Sequence, residues 1–440
     1  MSRTVHRPRA WQLRTTTALA LTAIGLAACA GSAPSSHPSA SSGKQTLVLW
    51  HNGNFSSTVT SLLVKAFEKT HPNITIKTVA QPTGNYFATL QAAMISRKGP
   101  DLVNLWPAQY LSRFEPYLVN LDSAISPTLL QKVSGEAYFA KNDSVAAATY
   151  AVPFENQFYT GFYNKALFQR AGVASVPQDW SQLYSACSKL KKIGVTPIAY
   201  GSASGSGEFY PVYEWSYLLS GILPLTQWNS LLDGQLPYSN SAVVAQVRRW
   251  AQLYKRGCTN SNILTARNAM GQFQSGKAAM IFKGSWDAGT FSQSMKSNVG
   301  AMLPPYSTTP NHTIIMETGE GYGVPTFSPH RKAAEAFLKF IVSPAGQQAI
   351  IASGQAPVLP GYTAKNPLQN TLLSMVASGH YQVYPMFDNF MQPSVLNVAV
   401  KELDLAMAGQ TSAQAAMSTV AHSVTDLGAS ARSVNYHLGG

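Results

Sequence analysis

Acidic residues are scarce in this chain. Its 440 residues hold 19 Asp and Glu against 32 Lys and Arg, and charged residues of all kinds make up 12%. With hydrophobic residues at 45%, so little charge excludes a disordered chain and allows full apolar cores. The net charge of +13 falls to +9 beyond residue 28, because Arg3, Arg7, Arg9 and Arg14 precede that point with no acid among them. No basic run exceeds two residues, as in Lys191-Lys192 and Arg248-Arg249. Nucleic-acid readers concentrate their charge in a stripe or patch, so this dispersion argues against nucleic acid as a partner. The nine histidines show no metal-ligand spacing, and no metal or other cofactor is expected. No fixed internal repeat is present.

Two catalytic signatures are approached and missed. "YGSASGSG" puts Ala203 where a serine-hydrolase elbow needs its nucleophile. "GQFQSGKAAMIFKGSW", Gly271 to Trp286, fits G-x-x-x-x-G-K but has Ala278 where a phosphate loop needs Ser or Thr for Mg²⁺. Its order is also reversed: a helix-like segment precedes the glycines and an apolar strand, "AAMIFKG", follows them, so no helix N-terminus would face a phosphate.

Cysteines number three, and no apolar run is long enough to span a bilayer stably. "MSRTVHRPRAWQLR" is a basic start, and "TTTALALTAIGLAA" is a short apolar stretch that ends in Leu26-Ala27-Ala28-Cys29. This is the pattern of a lipoprotein signal peptide over residues 1–28, with Cys29 as the lipidated residue; an ordinary signal peptide is the alternative. Residues 29–45 read as a Ser-rich tether. Such a chain is expected at the outer face of the cytoplasmic membrane, held by lipid, or in the periplasm. Cys187 and Cys258 remain as an even pair, for which a structural disulfide or two buried thiols are the alternatives.

From Thr46 strands alternate with helices. "TLVLW", "NITIKTV", "DLVNLW", "TPIAYG", "VGAMLPPY" and "GYGVP" read as strands, and "YAVPFENQFYTGFYN" as one long extended segment. Val59, Leu62, Leu63, Ala66 and Phe67 share a helix face, and "NYFATLQAAMISRKG", "SAVVAQVRRWAQLYKRG" and "HRKAAEAFLKFIVS" are helical. The class is α/β, with two domains.

The ordered segments "LVLWHNGN", "FEKTHPNITIK", "PDLVNLW", "YAVPFENQFYTGFYNKALFQRAG", "FQSGKAAMIFKGSW" and "GYGVPTFSPHRKAAEAFLKFIVSPAGQQAI" resemble an extracellular solute-binding protein of an ABC importer, in the sugar-binding group that includes maltodextrin-binding proteins. The resemblance runs from about Thr46 to the C-terminal helices. It implies a two-lobed periplasmic-binding-protein-like fold, with discontinuous lobes joined by crossover hinge strands. Lobe 1 would take residues 46–154 plus 317–356, and lobe 2 residues 155–316 plus 357–436. The crossings would lie at Pro153 to Phe158 and near Ile315 to Gly319. It also implies a binding role without catalysis, a carbohydrate ligand, permease subunits in the membrane as partners, and a monomer. In that family the "FQSGKAAMIFKGSW" stretch brings its tryptophan to the cleft. Gly271 and Gly276 would then break a helix, with Lys277 on the surface.

A sugar offers hydroxyls at its rim and C–H faces, so its site needs planar side chains with carboxylates or amides. Candidates are Asn52 and Asn54 after the first strand, Trp106 at a strand end, and Glu155 and Asn156 with Gln157 at the first crossing. Tyr213 and Trp215 follow in "FYPVYEWSYLL", then Trp286, and Glu320 and Tyr322 with Glu317 at the second crossing. Asp388 and Asn389 are weaker candidates. A charged pair often found in the family is replaced by Asn54-Phe55, which argues against maltose itself. A receptor for a non-sugar solute stays open, and so does a surface glycoside hydrolase with Glu155 and Glu317 or Glu320 as its two carboxylates.

Overall fold

β1 (Gln45–Asn52) pairs in parallel with β2 (Ile74–Gln81) on one side and β3 (Leu102–Leu105) on the other. This starts a sheet in the computed structural model, which describes residues 43–53, 57–141, 148–202, 210–432 and 438. The sheet continues through β4 (Ala151–Asn164), β5 (Thr196–Ala199), β6 (Ala278–Gly284), β7 (Val299–Met302), β8 (Thr313–Gly323) and β9 (Gln382–Tyr384). Its order is β2-β1-β3-β8-β4-β6-β5, with β7 on β4 and β9 on β8. "GYGVP" begins as the last turn-free stretch of β8, not as a separate strand, because Gly321 to Gly323 pair with both β3 and β4.

β4 and β8 are the longest strands and run antiparallel side by side, with register shifts between Pro153 and Glu155 and between Glu155 and Asn156. One end of the pair meets β3, and the other meets β6, β7 and β9. Two α/β lobes are built on this shared spine. The first core packs Leu47, Leu49, Leu63 and Phe67 against Phe337 and Ile341 of the helix Arg331–Ile341, with a satellite cluster around Tyr86, Met94 and Phe114. The second, larger core gathers the helices Trp180–Lys192, Tyr210–Ser220, Ser241–Lys255 and Pro393–Met407 around β6. These helices carry apolar faces at helical spacing, so each must bury one side. All three clusters lie within Lys44–Gly440, a compact unit with its own cores. The signal segment, Cys29 and the tether to residue 42 lie outside the described residues.

The near-match to a phosphate loop resolves as helix Ala269–Gln274, a turn and strand β6. Gly276 ends the helix with a left-handed φ of 72°, a conformation that favours glycine, and Lys277 is exposed. Gly271, expected to break the helix, lies inside it instead. The Asn268 side chain caps the helix by accepting from the Gly271 N–H at 3.0 Å, and a Cβ on Gly271 would come 2.2 Å from that cap.

Cys187 and Cys258 are free thiols, both buried, so the expected disulfide is not formed. The hydrogen bond that Cys187 donates to Cys258, together with burial, pushes the Cys187 thiol up and leaves it a poor nucleophile. Neither thiol of the folded Lys44–Gly440 unit should react with a thiol reagent within minutes, and two should react after denaturation. Fast labelling of the native protein would contradict this packing.

Candidate functional site

Where β4 and β8 cross, side chains from both lobes enclose a cavity of about 100 Å³. Its walls include Trp106, Tyr110, Gln157, Tyr159, Tyr213, Trp286, Glu320, Asp388 and Asn389. By the volume one water requires, this is room for several waters.

On the first lobe, Trp106 follows β3 and stands edge-on to Phe87 at 4.9 Å and to Tyr110 at 4.8 Å. Its Nε1 donates to Glu320 Oε1 at 3.3 Å, and Asn104 Nδ2 donates to Glu320 Oε2 at 3.2 Å. Asn104 is itself fixed, because its carbonyl accepts from the Tyr86 hydroxyl at 2.7 Å. The buried Glu320 carboxylate therefore orients the indole from behind. Glu155 lies directly across from Glu320 in the β4–β8 register and is fully buried. Burial, then the neighbouring Glu320, holds its carboxyl well above the ordinary range, while Gln157 Nε2 donates to it at 2.6 Å.

On the second lobe, Tyr159, Tyr213 and Trp286 form an edge-to-face trio with centroids 5.4 to 6.0 Å apart. Trp286 leaves β6 through a short turn, Ser285–Asp287, that follows Gly284. The Lys283 ammonium sits 5.8 Å from the Tyr213 ring and is paired with Asp287 at 3.0 Å. The Tyr159 hydroxyl donates to both oxygens of Asp388, each at 3.0 Å. Burial raises the Asp388 carboxyl to about 7 despite that hydrogen bond. Glu317 accepts from Met386 N–H at 2.8 Å and Asn389 Nδ2 at 3.3 Å, and burial raises it as well. The segment Met386 to Asn389 is thus pinned to β8 by Glu317 and to β4 by Tyr159.

Among the expected residues, Trp106, Gln157, Tyr213, Trp286, Glu320, Asp388 and Asn389 meet at this cavity, and Glu155 and Glu317 stand behind it. The others lie elsewhere. Asn52 is buried at the end of β1. Asn156 turns away from the cavity: its N–H donates to Ala356 O at 2.9 Å and its Nδ2 to Pro357 O at 2.7 Å, fastening β4 to the segment Ala356-Pro357. Trp215 is stacked against Tyr238 in the second core, since the helix Tyr210–Ser220 buries most of its circumference. Tyr322 is stacked on Phe154 in the first core and shares a hydrogen bond with Thr60. Asn54 lies outside the described residues.

Tyr110 and Tyr159 escaped the sequence reading, although each left a signal. Tyr110 is four residues after Trp106, the spacing at which side chains meet on a helix turn. Tyr159 is two residues after Gln157, on the same face of a strand.

The profile of the bacterial extracellular solute-binding protein family matches residues 52–348. The chain belongs to that family. The members' fold is shared by solved structures of low identity. A chitin oligosaccharide binding protein is 23% identical, with a TM-score of 0.74, and the match covers 87% of this chain and 98% of that one. The GacH receptor of Streptomyces glaucescens, solved with acarbose, is 21% identical, with a TM-score of 0.71 and coverage of 88% and 100%. Maltose-bound T. maritima MalE3 is 20% identical, with a TM-score of 0.69 and coverage of 87% and 99%. Comparison with curated proteins finds no match. This solute-binding protein therefore has the two-lobed periplasmic-binding-protein-like fold, and among its described residues no helix is long and apolar enough to cross a membrane.

Proposed function

We propose that this solute-binding protein captures a sugar or short oligosaccharide between its lobes and presents it to the membrane subunits of an ABC importer. The observation that carries the reading is the cavity itself: aromatic rings from both lobes face one space, and carboxylates and amides are set among them. Ring faces suit the C–H faces of a sugar, and Asp388, Asn389, Gln157 and Glu320 suit its hydroxyls. The sugar ligands named for the structural neighbours support the same class. Lobe 1 is assigned residues 46–154 plus 317–356 and lobe 2 residues 155–316 plus 357–436, closing by hinge bending where β4 and β8 lose register. The chain works as a monomer tethered through a lipid on Cys29, outside the cytoplasm. It is a receptor without catalysis; the energy for import comes from the transporter's ATPase.

The test is thermal unfolding of the Lys44–Gly440 unit against a panel of mono- and oligosaccharides, amino acids and metal salts. A ligand of the folded form at a hundred times its Kd adds about 2.7 kcal/mol, which is read as a raised Tm. A sugar should raise Tm and be recovered unchanged. A shift from another class of solute alone would overturn the substrate, and release of a cleaved sugar would overturn the receptor reading in favour of a hydrolase.

A further inference from the structure

The cavity where β4 and β8 cross is small. At about 100 Å³ it is below the roughly 150 Å³ at which an engineered protein cavity lodges one benzene molecule. One six-membered ring is therefore the most it encloses. A cleft for several rings must run open between the lobes, and here the lobes touch across it. Tyr138 of the first lobe meets Phe390 of the second edge-on, with centroids 5.1 Å apart. The short helix Gln109–Ser112 packs on the turn Phe387–Phe390, which brings Tyr110 and Asp388 into one wall. Ala108, just before that helix, is buried in the second core, and its N–H donates to Tyr138 O at 2.9 Å. Its φ of 52° lies in the left-handed region, a strained conformation for alanine that persists only where the surroundings fix it. Gln157 covers Gly319 in the same cavity wall: a Cβ built on that glycine would fall 1.8 Å from Gln157 Oε1. Gln157 cannot swing aside without giving up its 2.6 Å donation to the buried Glu155.

Resting on the receptor reading, we propose that the ligand is a single free monosaccharide, enclosed whole when the lobes meet, and that the Tyr138–Phe390 contact excludes chains of two or more sugar units. A second ring linked to the enclosed one needs the lobes to part. The protein then gives up the contacts that Tyr138, Ala108 and the helix Gln109–Ser112 make with the second lobe. Each added unit therefore weakens binding instead of extending it. The selectivity comes from what the site rejects as well as from what it holds.

The experiment measures Kd by calorimetry on the folded Lys44–Gly440 unit for sugars and their own oligomers: glucose with maltose, cellobiose and maltotriose, galactose with galactobiose, mannose with mannobiose, xylose with xylobiose, and N-acetylglucosamine with diacetylchitobiose. In the series that binds, the monosaccharide should be at least tenfold tighter than any of its oligomers. Phe390→Ala opens the contact and should bring that ratio toward one by admitting the second unit. A mere loss of stability would weaken both members alike and leave the ratio where it was. Phe390 is fully buried, so Tyr138→Ala, at a half-buried position, serves as a second variant if the first does not fold. The oligomer series on the unaltered protein needs neither. Equal or tighter binding of a disaccharide or trisaccharide by the unaltered protein overturns the single-ring limit and leaves the sugar receptor standing. A tenfold ratio that survives both variants overturns the Tyr138–Phe390 contact as its cause. No binding by any sugar, with a hit from another solute class, overturns the receptor reading on which this proposal rests.

Discussion

Replacing Gly284 with alanine should weaken sugar binding about tenfold, ~1.4 kcal/mol, with a change in Tm of no more than a few degrees. Gly284 ends β6 with φ −87° and ψ 152°, an extended conformation that any residue adopts. Glycine is therefore not required by the backbone. It is required by the neighbour: a Cβ built at Gly284 falls 2.1 Å from the Cη2 and Cζ2 atoms of the Trp286 indole. The ring folds back across the glycine on its way to Tyr159 and Tyr213. Alanine would push the indole out of the wall without breaking a strand hydrogen bond. Trp286→Ala removes the same surface, so the two single variants should lose affinity to a similar degree. The double variant should be no worse than either, the non-additivity expected of two changes that act on one contact. If Gly284→Ala binds the panel's sugar normally, the folded-back indole does not form part of the site. The stretch Lys283-Gly284-Ser285-Trp286 would then be only a strand end.

The second large effect is on stability, and its sign is unusual. Raising the pH from 5 to 8 should lower Tm markedly, where many proteins are near their most stable. Glu214, fully buried, accepts from the Tyr306 hydroxyl, yet burial raises its carboxyl to about 8. Asp388 and Asp404 are each raised to about 7, again mainly by burial. In the unfolded chain these groups ionise near the ordinary values of 4.5 and 3.8. As pH rises through that range the unfolded chain releases protons that the folded one keeps, so folding loses stability. The loss runs from about 4 to about 7 for the two aspartates and to about 8 for Glu214. Each group contributes up to about 1.4 kcal/mol per pH unit inside its window. Glu155 and Glu317, raised by burial as well, act in the same direction. Glu214→Gln keeps an acceptor for Tyr306 and removes one ionisation. It should flatten the fall in Tm between pH 5 and 8 relative to the unaltered protein. An unchanged slope would mean that Glu214 is ionised in the fold and compensated in some other way. A sugar that binds Asp388 should also reduce the fall, which links this measurement to the cavity.

The sequence by itself determined the lobes' secondary structure and their class. "AAMIFKG" is β6 to the residue, and the long extended segment from Tyr150 is β4, shorter by its first position. These segments are legible because a strand buried on both faces must be continuously apolar, and an amphipathic helix must repeat near 3.6. Trp106, Tyr213, Trp286 and Glu320 were also within reach of the sequence, since each sits at the end of a regular element or in a recognisable stretch. What only the tertiary structure decided is which aromatic residue faces the cleft and which fills a core. Tyr213 and Trp215 are two residues apart on one helix, and both are buried; only packing against Tyr159 and Trp286 on one side, and Tyr238 on the other, separates their roles. Asn156 and Gln157 are adjacent on β4 and so point to opposite faces, but only the packing around β4 shows that Asn156 meets Ala356 and Pro357 while Gln157 crosses Gly319 into the cavity wall. A carboxylate's neighbours are non-local in the same way. Glu155 meets Glu320 across 165 positions of sequence through the β4–β8 register, and no local pattern encodes the partner that sets its charge.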